Sequence, residues 1–289
     1  MTDTEVITAW LASKNPSTQR VYAPVSATFA ATVEKPLATV TRADATNWIA
    51  QWATQEAATR ARKIRTLRSL YRFGQAYAGW PTNPFLSIQD PAIPERLALR
   101  MPTADEVWTL MEAAKTAGPR TFALIAFVFG TACRISEVVA ATWGSIAIET
   151  PDTHWLWMVP HRRPPITIPL RPEVITALRQ WREAQRLDPN RWSADDATPI
   201  FPDAHGQPSN PITLTATIRR LAARIGLPHA VPAYGLRHAH AGLALKNGAS
   251  LGLVQRTLGH RFARSTARYL GVVSPPASSA DALPWGRSP

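Results

Sequence analysis

Residues 154–170 read HWLWMVPHRRPPITIPL, and this short passage sets the architecture. On either side of His161-Arg162-Arg163-Pro164-Pro165 lie brief runs of β-branched and aromatic residues that fit a pleated strand. They predict a hairpin or a small antiparallel sheet. On both sides of this passage apolar residues recur three and four positions apart, so the fold class is mainly α with one small antiparallel β-sheet.

Upstream, residues 5 to about 80 read as several short helices. Val6, Ile7, Trp10 and Leu11 share one face, then Tyr22, Phe29 and Val33, then Trp48, Ile49 and Trp52 after a start at Thr41-Arg42-Ala43-Asp44. A fourth helix, from about Thr59 to Tyr77, sets Ile64, Leu67, Leu70 and Tyr71 on one side and Arg65, Arg68 and Arg72 on another. That second side is basic. GWPTNPF at 79–85 stops the helix, because glycine and two prolines cannot continue it. We therefore place a helical domain at 1–85 and a linker at 86–101. A second domain at 102–271 opens with Thr103 as N-cap and Asp105 and Glu106 in the first turn. Helical spacing returns after Pro172, with a proline-rich loop at 198–211, and the Ser/Pro-rich segment 272–289 has the composition of a flexible tail.

The chain has 289 residues, Lys+Arg 32 against Asp+Glu 20, and a formal charge of +12. A polyanion is the first partner to consider, most simply nucleic acid. Cys133 is the single cysteine, which excludes an internal disulfide and points to a reducing, cytoplasmic compartment. The start MTDTEVITAW has no basic and apolar regions of a secretion signal, and the longest greasy stretch, Thr121 to Cys133, is too short to span a bilayer. No membrane partner is expected.

Candidate chemistry falls in four stretches. They hold Arg134 and Glu137; His161, Arg162 and Arg163; Tyr234, Arg237, His238 and His240; and His260 with Tyr269. Arg134, read as lying within an apolar helix, either pairs with Glu137 at i+3 or turns toward a ligand. His238 and His240, two apart on a helix, point to different faces, and the histidines lack cysteines or carboxylates at ligand spacing. A zinc site is not expected, nor a carboxylate-based two-metal site. Arginines, histidines and a tyrosine can instead transfer a phosphoryl group through a covalent tyrosyl intermediate. Guanidinium forks clamp the non-bridging oxygens and gain most as charge builds in the transition state.

In order, GTACRISEVVAATW (130–143), YGLRHAHAG (234–242) and LGHRFARSTARYLGV (258–272) resemble the three sequence boxes of the tyrosine recombinase, or phage integrase, family, which includes Xer-type enzymes. The resemblance implies a helical core-binding (SAM-like) domain plus an α+β catalytic domain, forming a C-shaped clamp on double-stranded DNA. It implies a site-specific recombinase that works as a homo-tetramer on its recombination site, with or without a second recombinase, and uses neither metal nor nucleotide cofactor. Position by position, Arg134 and Arg237 resemble the catalytic arginines, Glu137 the acidic residue of the first box, His238 the neighbour of the second arginine, His260 the third-box histidine and Tyr269 the nucleophile.

Two positions depart from the family pattern. Tyr234 stands where the family has the histidine of His-x-x-Arg, and no lysine occurs between Lys115 and Lys246, where the family carries its general acid. His161 is the best-aligned substitute for that lysine, because imidazole can protonate a departing 5′ oxygen and guanidinium cannot. On the alternative reading the hairpin residues Arg162 and Arg163, like Arg65, Arg68 and Arg72, grip the DNA backbone. The rival functions are a DNA-binding member without efficient cleavage and a type IB topoisomerase-like enzyme.

Overall fold

The computed structural model describes residues 1–92, 101–150, 153–158, 165–227, 231 and 233–270. It divides into two compact units, Met1–Glu95 and Arg96–Pro289. The first is helical: α1 (Asp3–Ala12), α2 (Pro16–Val33), α3 (Arg42–Ala50) and α4 (Ala57–Tyr77). The caps are local in origin. Thr2 and Thr41 each accept from the backbone N–H three residues on, and Glu5 and Asp44 reach back to the cap N–H, so the first orphan donors of α1 and α3 are satisfied. Trp10, Phe29, Trp48, Leu67, Tyr71 and Phe85 form one buried cluster, in which the rings of Phe29 and Trp48 meet edge-on at 5.2 Å. Burial pushes the Tyr71 phenol far up, and its hydroxyl donates to the Leu37 carbonyl at 3.0 Å, which pairs that buried polar group.

The second unit opens with α5 (Ala104–Ala117), capped by Thr103 and Glu106, and continues with α6 (Pro119–Thr131) and α7 (Ile135–Ala140). Eight of the thirteen residues of α6 are buried, and the helix packs against α5 and against α8 (Pro172–Ala184) and α10 (Ala233–Lys246). A helix apolar nearly all round belongs at the centre of a layer, and α6 is that centre.

The small sheet is antiparallel, in the order β1 (Ile146–Thr150), β2 (Thr153–Met158), β3 (Ile166–Leu170). Leu156 pairs with Ile146 on one side and Ile168 on the other, and all three are buried. Trp157, one position on, turns outward with 51% of its surface exposed. The expected pair of strands is therefore joined by a third, which the short run Ile146–Thr150 supplies.

The remaining elements are α9 (Pro211–Arg224), α11 (Leu251–Thr257) and α12 (Arg264–Ala267). Gly242 lets α10 meet the chain just before α5: a β-carbon there would lie 2.3 Å from the Met101 sulfur. A small third cluster, in which Tyr269 packs with Ala132, Ala241, Leu245, Val254 and Leu258, joins the end of α6 to α10 and α11. No described helix is long and apolar enough to cross a membrane.

Candidate active site

Arg134 does not lie within an apolar helix, as its surroundings in the sequence suggest. It is the N-cap of α7, just after a reversal that ends α6. Ala132 makes that reversal with φ at 53°, a left-handed conformation that costs an alanine about 1 kcal/mol. The side chain of Arg134 donates to Glu137 Oε1 at 2.9 Å while its backbone N–H donates to Glu137 Oε2 at 2.7 Å. The i+3 ion pair thus fixes a guanidinium that remains partly exposed.

Arg237 is placed differently. It projects from α10 into the protein and is 2% exposed. Nη1 donates to the Ala132 carbonyl and Nη2 to the Leu258 carbonyl at 2.6 Å, so one side chain ties the end of α6 to the end of α11. Burial, and Arg134 second, pull its guanidinium down to about 10, which leaves it charged at neutral pH. His260 Nε2 stands 3.5 Å from Arg237 Nη2. Its ring is oriented by a 2.9 Å hydrogen bond between Nδ1 and the Thr266 hydroxyl, and its backbone is clasped by Gln255 through both its carbonyl and its amide.

Tyr269 follows α12, a helix of a single turn. Its residue surface is 1% exposed, and its hydroxyl lies 2.6 Å from His238 Nδ1. Burial, and next the neighbouring Tyr234 phenol, push Tyr269 up to about 12. Burial, then the Arg268 and Arg237 cations, bring His238 down to about 4. At neutral pH the pair is a neutral phenol against a neutral imidazole. Tyr234, 54% exposed, presents its ring edge-on to His238 with centroids 4.2 Å apart. His240 faces elsewhere, as the spacing predicts: its Nδ1 meets the Phe129 carbonyl at 2.7 Å.

Arg134, Tyr234, His260, Arg261, Arg268 and Tyr269 border one cleft of about 300 Å³. Three of the four stretches, separated by up to 135 positions in the chain, therefore converge there, with Arg237 directly behind. Two cationic side chains of the third stretch, Arg261 and Arg268, also face the cleft, and the sequence reading gave neither a place in it. Thr266 and Gln255, which set the histidine, were equally unmarked, although Thr266 sits only six positions after His260. Among the described residues no cluster of His, Cys, Asp or Glu could hold a metal ion. His161, Arg162 and Arg163 lie outside the described residues.

The arginines of α4 divide in two. Arg65 pairs with Asp90 at 2.6 Å, and Arg68 donates to the Phe85 carbonyl at 3.0 Å and the Ile88 carbonyl at 2.5 Å while also meeting Asp90 at 3.2 Å. Arg68 thus pins the segment after the helix. Arg72 is exposed.

Residues 100–273 match the phage integrase family. The tyrosine recombinase XerC of Rhodospirillum centenum is 28% identical over 233 residues, 78% of this chain and 66% of that protein. The XerC of Mesorhizobium japonicum is 26% identical over 221 residues, 75% and 69% of the two chains. The chain thus spans about two thirds of the length of these relatives. Among solved structures, a lambda integrase dimer bound to a COC′ core site superposes with a TM-score of 0.72 at 17% identity, over 93% of this chain and 77% of that one. XerH bound to its difH substrate gives 0.72 at 16% identity, over 88% and 76%. At such identities the likeness speaks for the fold: mainly helical, with a small antiparallel sheet.

Proposed function

The chain belongs to the phage integrase family, and on that footing we propose that it is a site-specific DNA recombinase. Tyr269 attacks a phosphodiester, a 3′-phosphotyrosyl bond forms, and the 5′ oxygen departs as a hydroxyl. A partner strand's 5′ hydroxyl then reverses the step. The phosphotyrosyl bond conserves the energy of the one broken, so no cofactor is needed. The observation that carries the reading is the convergence of Arg134, His260, Arg237 and Tyr269 from separate parts of the chain onto one cleft.

Arg134 and His260 meet the phosphate from the cleft wall, and Arg237 adds positive charge from behind, where water is scarce and its field is strong. Arg261 and Arg268 add further cations around the same phosphate. His161, at the sequence position where the resemblance sets the family's lysine, protonates the 5′ oxygen. Residues 1–85 form the core-binding domain and 102–271 the catalytic domain, joined by the linker 86–101. Arg65, Arg72, Arg162 and Arg163 contact the DNA backbone. The working assembly is a homo-tetramer on double-stranded DNA at the nucleoid, in the cytoplasm.

Tyr234 and the absent lysine favour one rival, a DNA binder without efficient cleavage. The two readings part on a nicked suicide duplex bearing a site that the protein selects from a random-sequence pool. The recombinase leaves a denaturation-resistant protein–DNA adduct that Tyr269→Phe abolishes. A wild-type protein that binds the duplex and forms no adduct is the rival instead.

A further inference from the structure

Attack by a tyrosine requires that its proton leave as the oxygen–phosphorus bond forms. In this family's pattern a histidine opens the second box, and here that position is Tyr234, a phenol that cannot accept a proton usefully near neutral pH. The hydroxyl of Tyr269 nonetheless has a nitrogen beside it. His238 Nδ1 lies 2.6 Å away, within the range for proton transfer between positioned groups, and the two rings stand 5.4 Å apart on elements that share one buried cluster.

We propose that His238 is a catalytic residue, the general base that takes the Tyr269 proton during strand cleavage and returns it during rejoining, and that Tyr234 is a positioning residue that holds the His238 ring. This rests on the recombinase reading above and assigns the proton path within it. In cleavage the Tyr269 O–H bond breaks, its proton passes to His238 Nδ1, the Tyr269 oxygen bonds to phosphorus, and the bond from phosphorus to the 5′ oxygen breaks. The 5′ oxygen takes its proton from the donor assigned to it above. In rejoining, the incoming 5′ hydroxyl gives its proton back to that donor as its oxygen bonds to phosphorus, and the imidazolium gives its proton to the tyrosyl oxygen as that oxygen leaves.

The surroundings decide the timing. The titratable and charged groups that face His238 are Tyr234 and Arg237 on its own helix, and Tyr269 and Arg268 from the segment packed against it. Burial and the two arginines keep the imidazole neutral, so its basic form is present throughout the neutral range. The same burial disfavours free tyrosinate. Proton transfer therefore accompanies bond formation and does not precede it, because the acidity of the tyrosyl oxygen rises as it bonds to phosphorus. A phosphodiester in the cleft also offsets the two cations that oppose the imidazolium. Tyr234 contributes through its edge-on ring contact, with the planes at 82°.

The test uses full-length protein and the suicide duplex. His238→Ala removes the base, whereas His238→Asn sets an amide oxygen near the place of Nδ1 and so keeps a hydrogen-bond acceptor without basicity. Both variants are expected to bind the duplex as the wild type does and to form adduct about 100-fold or more slowly, the usual weight of a general base. Added imidazoles should restore His238→Ala, and faster with the more basic imidazole. Tyr234→Ala, which removes the edge-on ring, should slow adduct formation, and Tyr234→Phe, which keeps the ring, should recover most of the lost rate. The proposal is overturned if His238→Asn cleaves nearly as fast as wild type, or if His238→Ala is slow and no imidazole restores it. Failure of the wild type itself to form adduct on bound DNA would instead sink the recombinase reading.

Discussion

Replacing Arg237 by alanine should weaken the fold itself as well as the chemistry. The side chain is buried and donates to two carbonyls, Ala132 at the end of α6 and Leu258 at the end of α11. A hydrogen bond from a charged donor contributes about 1.5–3 kcal/mol, so the two together account for about 3–6 kcal/mol. Against this stands the cost of burying the guanidinium beside Arg134, which shows as its fall from the ordinary arginine value to about 10 and offsets about 3 kcal/mol. The aliphatic stem adds about 1 kcal/mol of packing that alanine also loses. The net loss is about 1–4 kcal/mol. For a unit of this size that lowers the unfolding midpoint by about 2–15 °C. Thermal unfolding followed by circular dichroism, without DNA, measures it. Arg237→Met, which keeps most of the stem and buries no charge, should lose less than Arg237→Ala. An alanine variant that melts within about 1 °C of wild type would refute the reasoning, and would mean that the guanidinium is held for the substrate alone.

Two further outcomes follow from the geometry. Arg68→Ala should lower the unfolding midpoint, because it releases the Phe85 and Ile88 carbonyls; Arg72→Ala should leave it unchanged and instead reduce the salt dependence of DNA binding by about 0.9 in log–log slope, measured by fluorescence anisotropy across a salt series. Stability should also fall as the pH drops from about 6.5 to about 4.5. His238 is depressed from 6.5 to about 4 in the fold, so over that window the unfolded chain binds more protons than the native one, and up to about 3 kcal/mol present above pH 6.5 is lost. Urea midpoints across the window should fall less steeply in His238→Asn.

Local patterns in the sequence carried most of the fold. The capping residues Thr41 and Thr103 act three positions ahead of themselves, and a helix start is a short-range event that a reader can find. The strands of 154–170 announced themselves by β-branched and aromatic runs, while Ile146–Thr150, only five residues long, carried too weak a pattern to separate from its surroundings. In the site, the spacing of His260 and Tyr269 was legible because one segment carries both. The roles of Arg68 and Arg237 were not. Their partners are backbone carbonyls 17 to 105 positions away, and a carbonyl leaves no mark in the sequence. The contact between His238 and Tyr269 spans 31 positions and likewise depends on how α10 and the last segment pack.

The single turn of α12 has a consequence for the reaction intermediate. Four helical residues cannot hold themselves together, so the stretch that carries Tyr269 is moored by its side chains: the Tyr269 ring packs among Ala132, Leu245 and Leu258, Thr266 meets His260, and the Tyr269 hydroxyl meets His238. In the proposed reaction, esterification to phosphate removes the hydroxyl and with it the bond to His238. From that moment the proposed nucleophile is held to the protein by its ring packing and to the DNA by a covalent bond, and the cut end gains slack about that one side chain.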